Sequence, residues 1–293
     1  MDERFIMNND DGRRYVIIKV GSKKVLENMG NGEWWLQHPA FFQKDYKNHS
    51  DIGRADNEDS LIEYQNVKKM QIDHPVHVFS GTVLPSTISF IYKKYTEDDS
   101  ARIICFYKLF ISDDGSFYSI NERMEGFGKY FAFVDINRAK ELLQIKVDEM
   151  FYGKLNDFDM EYYNDSYSGK VGVSGKRKEY AYQCEYRIRI DSIDNLKEII
   201  KDQEIQKIEK EMKDVLQEQE KNAELCRNAV ILEEKEKYKK LTIGANKHYE
   251  ELYYSYLNKK SEYALKYKTI TECLSNVYEF KELFGRKGIF DFQ

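Results

Sequence analysis

The 293 residues carry 51 Asp and Glu against 46 Lys and Arg, and a net charge of −5 excludes a global field that would draw nucleic acid. Any such contact must come from a local basic patch. Hydrophobic residues make up 41% of the chain, enough for a core, and 23 Tyr with 17 Phe make that core an aromatic one whose hydroxyls need partners.

In chain order, Tyr15 to Val20 is β-branched and strand-like and stops at Gly21. Ser22 caps a short helix through Met29, closed by Gly30 or Gly32. Glu33-Trp34-Trp35-Leu36 is a second short strand, ended by Pro39. Its two tryptophans face opposite ways, so one packs in the core while the other, taken to be Trp35, is left to line a ring-binding cleft. Gln43 to Ser60 is polar and turn-rich, a long surface loop. Val76 to Leu84 and Ile103 to Ile111 are the next strands; the latter is apolar apart from Lys108, as suits a strand buried on both faces. Asp113-Asp114-Gly115 turns into a strand over Phe117 to Ile120, and Tyr130 to Val134 is another. Asn137 to Gln144 has helical spacing, with Ala139, Leu142 and Leu143 on one side. Phe151 to Tyr163 and Tyr180 to Ile190 complete a strongly β region, separated by a Gly- and Ser-rich loop over Asn164 to Gly175.

From Asp191 the texture changes. Ile205, Ile208, Met212 and Val215 follow the 3-4-3 spacing of a coiled-coil-like seam. A break is expected near Thr242-Ile243-Gly244. A second helix then carries Tyr249, Leu252, Tyr253, Tyr256, Tyr263 and Tyr267, and continues through Ile270, Leu274, Val277 and Tyr278 to Phe284, where Gly285 ends it. The expected division is an α+β domain over residues 1–190 and an α-helical hairpin or small bundle over 191–293. Apolar seams of this length need a partner: the β region, another chain, or each other.

Several chemistries are excluded by motif. There is no phosphate-binding loop, no dinucleotide glycine fingerprint and no nucleophile elbow. His38, His49, His74, His77 and His248 are scattered, and no metal site is expected. Cys105, Cys184, Cys226 and Cys273 lack metal-ligand spacing and read as free thiols. The start, Met1-Asp2-Glu3-Arg4, is no apolar signal segment, and no stretch reaches the length of a membrane span, so the expectation is a cytoplasmic protein without a membrane partner.

What remains is the stretch from Lys176 to Ile190. Read as a strand, it turns Tyr182, Cys184, Tyr186, Ile188 and Ile190 to one face and Gln183, Glu185, Arg187 and Arg189 to the other. A polar row on one sheet face is also how an edge strand discourages pairing. As a site, a rigidly aimed glutamate near basic residues stays ionised and suits one reaction well: departure of nicotinamide from NAD. That step develops an oxocarbenium-like ribose, which a fixed carboxylate stabilises. Arg or Lys neighbours would hold the pyrophosphate.

The order of features resembles an uncharacterised bacterial family, found near phage-defence genes, with an ADP-ribosyltransferase-like fold. The pieces are the first strand with its short helix, Asn31-Gly32-Glu33-Trp34-Trp35, Pro39-Ala40-Phe41-Phe42, and Arg54-Ala55-Asp56-Asn57-Glu58. Ile104-Cys105-Phe106, Phe127-Gly128-Lys129-Tyr130 and Tyr182-Gln183-Cys184-Glu185-Tyr186-Arg187-Ile188 complete them. The last piece is similar to the Gln/Glu-x-Glu signature, which implies Glu185 as the catalytic acid and Gln183 as the residue that orients the acceptor. NAD, as substrate, would be engaged by Lys19, standing where such enzymes place Arg or His, by Ser86 of a Ser-Thr-Ser-like element, and at the phosphates by Arg187 or the Lys176 to Lys178 cluster. The resemblance implies a toxin of the anti-phage effector kind that modifies nucleic acid (RNA) or a protein, with an antitoxin or chaperone held by the C-terminal helices. Lys176-Arg177-Lys178 would steer nucleic acid to the site. Two alternatives stay open: a non-catalytic binding protein acting through its helices, and an NAD hydrolase.

Overall fold

The structure, a computed structural model, describes residues 2–42, 61–72, 76–78, 81–83, 86–95, 100–115, 117, 120–150, 153–164, 166–229 and 231–279, and over 61–95 it describes the backbone. The expected loop over 43–60, its Arg54 to Glu58 piece and the helix end at Phe284 and Gly285 lie outside the described residues.

The main sheet is antiparallel. Its strands are Ile6–Asn8 (β1), Arg14–Gly21 (β2), Ala101–Ile111 (β8), Tyr130–Val134 (β9), Gly153–Asp159 (β10), Glu185–Ser192 (β14) and Tyr278–Glu279 (β16). They run in the order β10-β14-β8-β2-β9-β16, with β1 on the free half of the β2 edge. The run of β8 suits its place between β14 and β2: Ile104 and Phe106 face one core, Tyr107, Leu109 and Ile111 face the other, and all of the strand but Lys108 and Phe110 is buried.

Alternation on these strands defines two faces. Tyr15, Ile17, Ile104, Phe106, Tyr186, Ile188 and Ile190 form one core with Ile136, Ala139, Leu143 and Val147 of helix α2 (Ile136–Asp148). Val16, Ile18, Val20, Tyr107, Leu109, Phe131 and Phe133 form the other, roofed by Phe5, Met124 and Phe127 from short 3₁₀ turns. Gly128 lets one turn close on the sheet: its φ is +155°, and a Cβ there would fall 2.3 Å from the backbone of Gly21.

Helix α1 (Lys23–Gly30) is capped by Ser22, as expected, and Trp34 of β3 (Trp34–Leu36) is the tryptophan that enters the core. Between β3 and β8, Leu61–Ile72 (β4) and Ser86–Tyr95 (β7) pair as a long antiparallel ladder, and Val76–Val78 (β5) pairs with Gly81–Val83 (β6). The pair β4 and β7 escaped the sequence reading because its strands carry polar residues and its register shifts at two bulges.

Several expectations fail for local reasons. Of the strand expected over Phe117 to Ile120, Phe117 bridges to Ile111 and Ile120 lies outside any strand, while residues 118 and 119 lie outside the described residues. The loop over Asn164 to Gly175 contains Ser168–Lys170 (β12), which pairs with β4, a 3₁₀ turn, and the start of Gly175–Arg177 (β13), which pairs with Glu161–Tyr163 (β11). The strand expected from Tyr180 starts only at Glu185, after a 3₁₀ helix over Lys178–Gln183. Side chains three apart eclipse in such a helix, so Tyr180 and Gln183 are buried together.

Ser192 caps helix α3 (Ile193–Lys201), and two long helices follow, Gln203–Asn228 (α4) and Leu232–Lys260 (α5). The seam from Ile205 to Val215 packs against Ala245, Tyr249, Leu252 and Tyr256. The break lies at the extended residues Ala229 and Ile231, not at Gly244, which stays inside α5. One mid-helix glycine costs about 1 kcal/mol, less than the burial of Leu252, Tyr256 and Leu257 returns. The second helix also ends at Lys260 rather than Phe284. Beyond it, Leu265–Tyr267 (β15) pairs with β3, Ile270 and Cys273 enter the core beside Trp34, and β16 pairs with β9. The expected helical region over 191–293 thus gives its last described residues back to the β domain.

Candidate functional site

Glu185 opens β14 opposite Tyr107 of β8, and its neighbours Tyr186 and Ile188 fix its direction by entering the α2-side core. It therefore projects from the other face, together with Arg187, as the alternation predicts. Both are almost fully buried, at 3% and 0% exposure. Arg187 donates from Nε to Glu185 Oε1 at 2.6 Å and from a terminal nitrogen to the Val173 carbonyl at 3.0 Å. Lys176 of β13 donates from Nζ to Glu185 Oε2 and to Gln183 Oε1, each at 2.9 Å. The backbone N–H of Glu185 donates to the Tyr162 hydroxyl of β11 at 2.8 Å, tying the β11–β13 ladder over the cluster.

The result is a closed polar centre of one carboxylate, two cations and an amide. Burial pushes the Glu185 carboxyl up, but the charges of Arg187 and Lys176 and the Arg187 hydrogen bond outweigh it and hold the group well below the usual carboxylate range. The same burial, with Glu185 opposite, raises the Tyr107 phenol well above its usual value.

Gln183 reaches this centre without sharing the strand. Cys184, in the left-handed conformation at φ 44°, turns the chain between the 3₁₀ helix and β14, and the turn brings the Gln183 amide back to Lys176. Gln183 also lines a groove of about 340 Å³ with Lys108, Phe110, Asn121, Tyr182 and Cys184. That volume falls at the lower end of the roughly 300–1,000 Å³ typical of ligand sites. Arg123 lies over the Tyr182 ring at 4.3 Å. Burial raises the Cys184 thiol, which argues against a thiolate nucleophile there. Glu185 itself is not in the groove lining; it sits behind Gln183.

Other expected site residues fall elsewhere. Lys19 lies on the opposite face of the sheet, where Nζ donates to the Cys105 carbonyl at 2.6 Å and sits over the Phe106 ring at 5.4 Å. A shift of one residue along β2 would have turned it toward Glu185, so strand parity excludes it from that centre. Trp35 is exposed and stacks under Lys266 of β15 at 4.8 Å, away from the groove. Arg187 is committed inside the protein rather than presented to phosphates. Ser86 begins β7, in a separate sheet with β4 and β12, where the structure describes backbone alone. Of the basic run, Lys176 is interior and Arg177 pairs with Glu179 at 3.4 Å, which leaves Lys178 exposed.

Lys108 is the residue that sequence reading missed. Its Nζ pairs with Asp159 at 2.7 Å and bonds Asn9 at 3.3 Å, between the groove and a second hollow lined by Asp10, Asp11, Asp157 and Tyr186. The signal was its isolation in an otherwise apolar strand. In that hollow Lys140 neutralises Asp157 at 2.9 Å. Among the described residues no group of three or more His, Cys, Asp or Glu is placed to hold a metal ion, and no helix is long and apolar enough to cross a membrane. Compared with family models, curated proteins and solved structures, the chain matches none.

Proposed function

We propose that this chain is an NAD-dependent ADP-ribosyltransferase whose reacting centre is built on Gln183 and Glu185. The observation that supports it is convergence. Two residues on different elements bring their oxygens to within 2.9 Å of one and the same cationic nitrogen, beside a groove with an aromatic and polar lining. A pair of oxygens that jointly hold a cation is what an oxocarbenium-like ribose needs.

In this reading the bond between ribose C1′ and the nicotinamide nitrogen breaks, and its electron pair leaves with the neutral ring. Glu185, ionised at neutral pH, opposes the charge left on the ribose. A carboxylate so strongly acidic is a poor proton acceptor, so it acts as counter-charge rather than base. Gln183 orients the acceptor, whose nucleophilic atom bonds to C1′ while its proton goes to solvent. Tyr182 and Phe110 offer faces for a ring, and the acceptor is a nucleobase of RNA or a protein side chain; water in its place would make the enzyme an NAD hydrolase. As a toxin or anti-phage effector, it would act inside a cell under an antitoxin or chaperone bound at α4 and α5.

The burial of Glu185 between two cations favours a second reading, in which the cluster is structural and the chain binds a partner through its hairpin. Exposed Leu225, Ile231, Leu232, Leu241 and Ile243 near the α4–α5 turn supply the apolar contact. Labelled NAD and cell extract separate the two. Label on a macromolecule that disappears with the charge-balanced pair Glu185→Gln and Lys176→Met supports transfer, and free ADP-ribose alone supports hydrolysis. No consumption of NAD by the folded wild-type protein or by folded Lys176→Met leaves the binding reading.

A further inference from the structure

The centre contains a cation of its own. Lys176 Nζ stands between Gln183 Oε1 and Glu185 Oε2, over the Tyr180 ring at 5.1 Å, in a position less than one-twentieth exposed. Bound this way, neither residue offers those oxygens to anything entering from the groove. The lysine is carried by β13, a three-residue strand outside the main sheet, held by its parallel pairing to β11 and by the Tyr162 hydroxyl over Glu185. Gly175 seats β13 so closely that a Cβ there would lie 2.2 Å from Val171. Arg187, in contrast, is on β14 itself and pairs with the other oxygen of Glu185.

We infer that Lys176 is a displaceable internal occupant of the reacting centre, its ammonium holding at rest the place that the cationic ribose of NAD takes during reaction. This rests on the proposed role of Gln183 and Glu185. The two cations then have different tasks. Arg187 is a permanent counter-charge that keeps Glu185 ionised, and Lys176 is a plug that must swing out with β13 before NAD engages. The free protein populates the competent form as a minority, and its apparent affinity for NAD is reduced by that fraction. Lys176 is a regulatory residue here, not a catalytic one.

The test measures NAD binding by calorimetry and nicotinamide release on the full chain. Lys176→Met keeps the stem, leaves Arg187 to balance Glu185, and is expected to bind NAD about tenfold tighter or more and to release nicotinamide faster, because the population tax is removed. Lys176→Arg keeps the plug's charge and is expected to show no gain in affinity for NAD. Tyr162→Phe, which cuts the tie of β11 to Glu185, moves in the same direction as Lys176→Met by a smaller factor and decides the matter if that variant does not fold. Wild type that binds NAD, with folded Lys176→Met or Tyr162→Phe binding it equally or more weakly, overturns the plug and leaves the proposed function standing. Absence of NAD binding in all of them overturns both.

Discussion

Replacing Glu185 alone by Gln strands two interior cations, and breaking a buried pair in that way costs about 3–5 kcal/mol. Glu185→Gln is therefore expected to lower stability to urea sharply, while Glu185→Gln with Lys176→Met recovers much of the loss. A double-mutant cycle of unfolding midpoints measures the difference, and additivity of the two changes would contradict the coupling seen at 2.9 Å. The pH dependence has a definite sign. Because the folded carboxyl is held below its ordinary value of 4.5, its contribution to stability is complete above that value and is lost as pH falls below it toward the folded pKa. Thermal melts between neutrality and about pH 3 should show the double variant losing less stability than wild type. At this scale the strand alternation was informative: it put Glu185 and Arg187 on one face and Tyr186 and Ile188 on the other. It was silent on Lys176, whose contact crosses from a separate strand, and the resemblance placed Lys19 with Glu185 where strand parity sets them on opposite faces.

Among the elements, the hairpin was the most legible. The 3-4-3 seam of Ile205, Ile208, Met212 and Val215 is a repeat of one helix face, and packing followed it. Its boundaries were not legible. A glycine suggested a break at Gly244 that burial on either side overrode, and the real turn at Ala229 carries neither glycine nor proline. The start of α4 is held by Asp202, which accepts from the N–H groups of Glu204 at 2.8 Å and Ile205 at 3.2 Å and from the Tyr263 hydroxyl at 2.6 Å. The Tyr263 bond is the chief reason that its carboxyl is more acidic than usual. Asp202→Ala is expected to cost about 1 kcal/mol, with Asp202→Asn retaining most of the cap; unchanged melting of Asp202→Ala would show the cap to be replaced by solvent. The element least visible in sequence was the 3₁₀ helix over Lys178–Gln183, since tyrosines at alternate positions imitate a strand.

For the whole molecule, the mixed architecture with an antiparallel sheet and a C-terminal helical hairpin was readable from texture, because the switch from alternating to helical spacing near residue 190 is abrupt. The return of the chain was not, since Tyr263, Tyr267 and Ile270 continue a spacing that suits a helix equally well. Ile270 is wholly buried among Trp34, Ile17 and Val134. Ile270→Ala is expected to destabilise the β domain by about 2–5 kcal/mol, read as a lower urea midpoint. A loss confined to helical signal would instead place Ile270 with the hairpin.

That return has a consequence for synthesis. Strand β9 stays an unpaired edge, and the pocket for Ile270 and Cys273 stays empty, until nearly the last described residues have left the ribosome. A nascent chain halted within the hairpin would expose the edge of a strand carrying Phe131, Phe133 and Val134, the kind of edge that recruits other chains. Maturation of the sheet is thus tied to synthesis of residues 265–279, and products terminated within the hairpin should collect in the insoluble fraction.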